Sequence, residues 1–434
     1  MKAALKKTMK WAMAVVALLV LVLAVALFAA HRWLGTDDFR SRVAHEASTA
    51  LGVEVSLQKI DIALWPLPAL AISDILVKTP VPLRLARLEL RPVWVDLLQG
   101  HLAPATLVLR GAHLPQPGLE ALLNAFEKVK KKTTQPATNT TASPTMAAFL
   151  PRRTVLDGIT WVDTKNVATT LQGDFRLGPD GLPDTVALQI IQGRLQGSKL
   201  DVQRDSKAWK VKAQVGGGSI VGHIDWQAAP VTGGPMLFKG KLQTQGVEVA
   251  ALLQGVSAGK APLSGRLEAS TTLSASTPSL GLLADALQTQ SQCTVHQAVL
   301  HGIDLAKAVK TAGISRGGET RLDTLTGQVQ TQGKAVQLNN LVASSGLLNA
   351  SGKAAVSPSQ ALSGRIQVDL AGSGGTVGVP LVLSGTVQNP EVTLTRGALI
   401  GAAVGTLLAP GVGTGAGARV GDKVGEKLKN LFGR

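Results

Sequence analysis

At 434 residues the chain exceeds the usual size of one hydrophobic core, so one long continuous sheet or two to three domains are expected. Its 44 Lys and Arg against 28 Asp and Glu give a net charge of +16, but only 17% of residues are charged and 45% are apolar, which excludes a disordered or tail-like nucleic-acid binder. The 47 Gly follow no Gly-X-Y period, which excludes collagen; aromatics at only 3% supply base-stacking platforms poorly; and the single cysteine, Cys293, excludes an internal disulfide or a thiolate metal cluster.

The run from Trp11 to Ala30 has no charged residue and at ~1.5 Å per residue spans about 30 Å, the thickness of a bilayer's hydrocarbon core. Lys2, Lys6, Lys7 and Lys10 precede it, whereas Asp37 and Asp38 soon offset Arg32, so the positive-inside bias keeps the N-terminus cytoplasmic and the bulk outside. A cleaved signal peptide with small residues at Ala24-Val25-Ala26 is the alternative; the run exceeds the ~7 to 15 residues of a usual signal core. Residues 1–32 are therefore read as a basic segment and a transmembrane anchor.

Asp37-Asp38 can cap a short helix through Phe39, Val43, Ala47 and Leu51 that ends at Gly52. The period then falls to two: Val53 to Leu57, Ile60 to Leu64, Leu83 to Leu90, Val93 to Leu97 and Thr106 to Leu109 read as strands. Pro117 opens a helix with Leu119, Leu122, Leu123, Phe126 and Val129 on one face, closed by Lys128 and Lys130 to Lys132, cations that the helix dipole favours there. This first β part spans residues 33–132. Residues 133–151, rich in Thr, Ala, Ser and Pro, read as a linker.

Residues 152–396 form a second β part. Leu263 to Ala269, Leu348 to Val356 and Leu362 to Leu370 alternate most clearly, and helical interludes fall near Ser279 to Leu287 and Asp304 to Ala312. Leu-Ser-Gly at 263–265 is echoed at 362–364 and 383–385, which suggests a recurring strand unit. Two ordinary β-sandwiches explain the same alternation. In residues 397–434, Gly397, Gly401 and Gly405, then Gly413, Gly417, Gly421 and Gly425, recur every fourth position, as in close helix packing. The tail reads either as a helical hairpin broken at Pro410-Gly411 or as a flexible segment, with a basic end suited to anionic lipid.

No catalytic constellation is visible. There is no HExxH, His296 and His301 have no acidic cluster beside them, and the near-Walker stretch from Gly327 to Ala335 has the wrong spacing and lacks the required hydroxyl. Gly216-Gly217-Gly218-Ser219 is not a nucleophile elbow, and Cys293 is expected to be a small buried thiol. An enzyme, a cofactor and a metal are therefore not expected.

The order of segments resembles the AsmA family of bacterial envelope proteins: one anchor, a short amphipathic helix, ALGVEVSLQKIDIALWPLPALAISDILV, a β-rich body, and VHQAVLHGIDLAKAVK before LDTLTGQVQTQGKAVQLNNLVASSGLLNASGKAAVS. The similarity covers roughly residues 1–127 and 240–396. It implies a single-pass inner-membrane protein with its bulk in the periplasm, acting in outer-membrane biogenesis on an elongated, curved antiparallel β-groove related to those of bridge-like lipid-transfer proteins; it lends no catalytic residues. The whole is thus expected to be mainly β: a transmembrane helix, the groove with a few short helices, and the Gly-rich tail. Membrane phospholipids are the expected partners. The lipid-facing candidates are Leu263, Leu267, Leu348, Leu362, Ile366, Val368 and Leu370. A membrane-tethered scaffold that holds other envelope proteins and self-associates through its tail is the competing function.

Overall fold

The computed structural model describes residues 36–63, 69–92, 104–133, 151–180, 182–227, 235–256, 261–277, 283–311, 317–346, 348–372, 375–395 and 397–398. The expected anchor at 11–30, the strand at Val93 to Leu97 and nearly all of the linker lie outside these residues. Among the described residues no helix is long and apolar enough to cross a membrane. The chain is mainly β, and it divides into two compact units, Met1–Gly193 and Arg194–Arg434.

Among the described residues the first unit carries eight strands: β1 (Val55–Ser56), β2 (Lys59–Ala63), β3 (Ala69–Val77), β4 (Leu83–Pro92), β5 (Pro104–Pro115), β6 (Arg153–Val162), β7 (Ala168–Leu177) and β8 (Pro183–Gln192). β1 and β2 both pair with β3, and the sheet continues in chain order to β8. All pairs are antiparallel except β5 with β6, which is parallel. A parallel neighbour needs a long crossover, and helix α2 (Gln116–Thr133) with the residues after it supplies one. β5 and β6 thus pair across the expected linker, and the two units divide at Gly193 instead.

Helix α1 (Asp37–Leu51) is capped by Thr36, not by Asp37-Asp38: the Phe39 N–H donates to Thr36 Oγ1 at 3.4 Å, and both aspartates fall in the first turn. There they face the positive end of the helix dipole. Gly52 ends the helix at φ 71, a left-handed geometry that disfavours a side chain, and an added Cβ would lie 2.7 Å from Val129 Cγ2. α1 therefore ends against α2. The first turn of α2 meets β4, where a Cβ at Gly118 would come within 2.8 Å of the buried Leu83.

The second unit carries β9 (Lys199–Asp205), β10 (Ala208–Val215), β11 (Gly218–Gln227), β12 (Met236–Glu248), β13 (Leu263–Thr277), β14 (Gln288–His301), β15 (Glu319–Gln332), β16 (Ala335–Ser344), β17 (Leu348–Val356), β18 (Leu362–Gly372), β19 (Gly375–Gly385) and β20 (Pro390–Leu394). Each pairs antiparallel with the next. Helices α3 (Val249–Val256), α4 (Leu283–Ala286) and α5 (Leu305–Lys310) interrupt the meander. The Asp304 side chain caps α5, accepting from the Lys307 N–H at 2.9 Å. The Leu-Ser-Gly echoes open β13 and β18 but close β19, so they mark no common unit.

Both units are crossed by residues at positive φ inside strands: Asp74, Gly111 and Gly158 in the first, and Gly246, Gln297 and Asn340 in the second. The apolar positions change parity there. Leu107 and Leu109 are followed by Ala112 and Leu114, and Leu90 and Leu88 by Leu85 and Leu83. At Asp74 and Gly111 the pairing runs on unshifted, whereas an inserted residue at a bulge bends a strand where the register shifts. Register shifts accompany the bends at 156/159, 244/247 and 338/341.

Candidate functional site: an open apolar sheet face

Residues paired across strands share a face, so register alone assembles the surface. In the first unit Leu70 stands opposite Leu90, Leu90 opposite Leu107, Leu107 opposite Thr154, Thr154 opposite Phe175 and Phe175 opposite Val186. A second row beside it runs through Ile72, Leu88, Leu109, Leu156, Gly173 and Leu188. Gly173 has a purpose here, since a Cβ would come within 2.7 Å of Leu188 Cδ2. At ~4.8 Å per strand the rows extend about 24 Å. The large aliphatic side chains in them are half-buried, not sealed.

The opposite face of the same strands is charged. Glu89 is only 7% exposed, held by Arg87 Nε at 2.9 Å and Arg91 Nη2 at 3.2 Å, with Arg110 Nε at 3.7 Å. Two strands away Arg153 forks onto Asp174, with Nε at 3.1 Å from both oxygens and Nη2 at 2.5 Å from Oδ2. That hydrogen-bonded guanidinium lowers the Asp174 pKa, against a smaller opposing effect of burial. Small residues, Ala69 and Ala71, lie buried on this charged face.

The second unit has an apolar stretch of its own. Val202 pairs with Val211, Val211 with Gly222 and Gly222 with Leu242. An aromatic group flanks it: the Trp209 and Trp226 centroids are 6.0 Å apart, Trp226 stacks on Phe238 at 6.2 Å, and the Arg204 guanidinium lies 5.6 Å over Trp209. Further along, the face turns to hydroxyls that satisfy one another, Thr271 with Ser291 at 2.8 Å and Thr289 with Thr331 at 2.7 Å.

All seven sequence-derived lipid-facing candidates fall into one cluster, at the end of this unit that is covered by helices. Val368 is 0% exposed, Leu348 5% and Ile366 9%; Leu263, Leu267, Leu362 and Leu370 are partly buried against them. Val249 of α3, Leu305 and Ala308 of α5, and Leu381 of β19 complete the cluster. α5 packs on both β15 and β18. This is a packed core, and Val368 has no free surface to offer a ligand. Sequence reasoning passed over the rows at Leu70, Leu90, Leu107 and Phe175; their signal was the aliphatic alternation of β3 to β5.

Of the seven tail glycines, Gly397 alone is described. Beside it Ala398 is fully buried in the same core and donates its N–H to Thr395 Oγ1 at 3.1 Å. Gly401, Gly405, Gly413, Gly417, Gly421 and Gly425 lie outside the described residues.

One arrangement invisible in the sequence has the outline of a hydrolase triad. Ser264 Oγ lies 2.9 Å from His301 Nε2, and His301 Nδ1 lies 2.9 Å from Glu319 Oε1. Acyl transfer also needs free N–H donors for the oxyanion. The Gly265 N–H is given to Glu248 Oε1 at 2.7 Å, that of His301 to Pro262 O and that of Gly302 to Gly318 O. The relay links β13, β14 and β15. Cys293 donates to Gly327 O at 3.4 Å, and burial pushes its thiol pKa up, away from thiolate chemistry. Among the described residues no group of three or more His, Cys, Asp or Glu is placed to hold a metal ion.

No protein-family model, curated protein or solved structure matches the chain.

Proposed function

We propose that the protein is a non-enzymatic, AsmA-like envelope protein, anchored in the bacterial inner membrane by residues 11–30, that shields phospholipid acyl chains on its apolar sheet faces. The observation that carries this reading is the pair of aliphatic rows across β3 to β8, whose side chains stay half-buried on a face backed by an arginine-rich one. Acyl chains laid there would remove that surface from water at ~25 cal/mol per Å². Headgroups would stay wet at the margin. The elongated groove, the periplasmic placement of the bulk and a role in outer-membrane biogenesis belong to the same proposal.

The test is mass spectrometry of lipid extracts from the purified full-length chain, compared with the double variant Leu90→Asp/Leu107→Asp. The proposal expects phospholipid with the parent and at least about tenfold less with the variant, circular dichroism being equal. A folded parent that carries no lipid, or a variant that carries as much, overturns it. A lipid-free parent that retains other envelope proteins would fit the tethered scaffold.

A further inference from the structure

The second unit has another face, and it is hollow. Register sets one row on it: Lys210 opposite His223, His223 opposite Lys241, Lys241 opposite Thr272, Thr272 opposite Gln290, Gln290 opposite Gln330 and Gln330 opposite Gln337. A neighbouring row runs from Lys239 through Ser274 and Gln288 to Gln332. A cavity of about 730 Å³ opens on these rows, lined chiefly by them from β11 to β16. A second, of about 700 Å³, continues along the same strands past Gln292, Gln328 and Asn340. Both are of ligand size.

The chemistry of the lining narrows the occupant. Each glutamine amide offers donors and an acceptor, and in adjacent strands these amides repeat at ~4.8 Å. An apolar ligand would leave them buried and unpaired, at a cost of about 1 to 3 kcal/mol for each group. Bases would lack stacking partners, because Trp209, Trp226 and Phe238 stand on the other face by register. An extended peptide finds its backbone partners at a sheet edge instead. A row of sugar hydroxyls, each both donor and acceptor, matches the amides. At one wall stand Lys239 and Lys241, two cations against the single carboxylate of the lining, Asp225, which pairs in register with Lys239.

We propose that this trough binds an anionic oligosaccharide, its acidic group at Lys239 and Lys241 and its hydroxyls on Gln290, Gln330 and Gln337. Within its own unit the site is on the face opposite Val202, Val211 and Leu242, and it does not depend on the lipid reading.

The full-length chain in detergent is titrated calorimetrically with tetragalacturonate, neutral maltotetraose and inorganic phosphate. Tetragalacturonate should bind at least about tenfold more tightly than either of the others, a difference of about 1.4 kcal/mol. The variants Lys239→Gln/Lys241→Gln and Gln290→Ala/Gln330→Ala should each weaken it by a similar factor, with circular dichroism unchanged. No binding, equal binding of the neutral sugar, phosphate binding as tightly as the oligosaccharide, or indifference to both variants overturns the proposal. A second arm separates sources of the glycan. Co-sedimentation with phosphatidylcholine vesicles carrying an acidic glycolipid, competed away by tetragalacturonate, assigns a lipid-borne glycan; tetragalacturonate binding without co-sedimentation assigns a soluble one.

Discussion

The apolar rows of β3 to β8, antiparallel but for the β5–β6 pair, and the wholly antiparallel, helix-covered end of the second unit are built from the same residue types, yet they differ in access. Leu70, Leu90 and Leu107 are half-buried, whereas Val368 and Leu381 are completely covered. The difference comes from helices. α3 and α5 bring Val249, Leu305 and Ala308 over one surface, while α1 and α2 pack against β1 and β5 in the first unit. A sheet face left without such a cover keeps its hydrophobic area available for a ligand, and one that receives a cover spends that area on stability.

Substitutions at the two places should therefore separate folding from binding. The largest effect is expected at the covered end: Leu381→Ala leaves a cavity in the core and should cost about 2 to 5 kcal/mol, read as a lowered urea midpoint at unchanged m-value. A loss under about 1 kcal/mol would mean that this end is as open as the other. Next come the bends. Gly111 sits at φ 62 and its added Cβ would meet Ala86 Cβ at 3.0 Å, so Gly111→Ala should cost about 1 to 2 kcal/mol by the same assay. An unchanged midpoint would show that the bend tolerates ordinary residues.

The smallest effect is expected on the charged face of the first unit. Arg153→Ala removes the fork onto Asp174 and, both side chains being well solvated, should cost about 0.5 kcal/mol at neutral pH. The sign with pH follows from the lowered Asp174 value. The contribution is fully present above the ordinary Asp value of about 3.9 and is lost as the pH falls through the lower folded value, so parent and variant should converge in acid. Denaturation midpoints between pH 7 and pH 2 check this; a gap that widens in acid would contradict it.

Much of the strand content was legible because alternation survives locally: Leu362 to Leu370 became β18, and Asp304 to Ala312 holds α5 with Asp304 as its cap. The changes of parity inside strands were not legible. At Gly111 the apolar parity changes from Leu109 to Ala112, so a period-two template stops β5 at Leu109 while the strand runs on to Pro115. The parallel pairing of β5 with β6 joins residues on either side of a long crossover, which no local pattern encodes. The candidate site suffered for a related reason. Periodicity assigns Val368 to the apolar face as readily as Leu107, but only the placement of α5 decides which is covered. The glutamine rows escaped notice too, since Gln288, Gln290 and Gln292 form a surface only beside Gln328, Gln330 and Gln332.

The central claim is that the uncovered apolar face of the first unit holds acyl chains, and site-specific photo-crosslinking in intact cells tests it most directly. Benzophenone side chains placed singly at Leu107 and Phe175, on the apolar rows, should capture phospholipid; the same group at Arg110 and Arg176, on the charged face, should capture at least about tenfold less. Equal capture from both faces, or none from either in a chain that remains folded, would contradict the account.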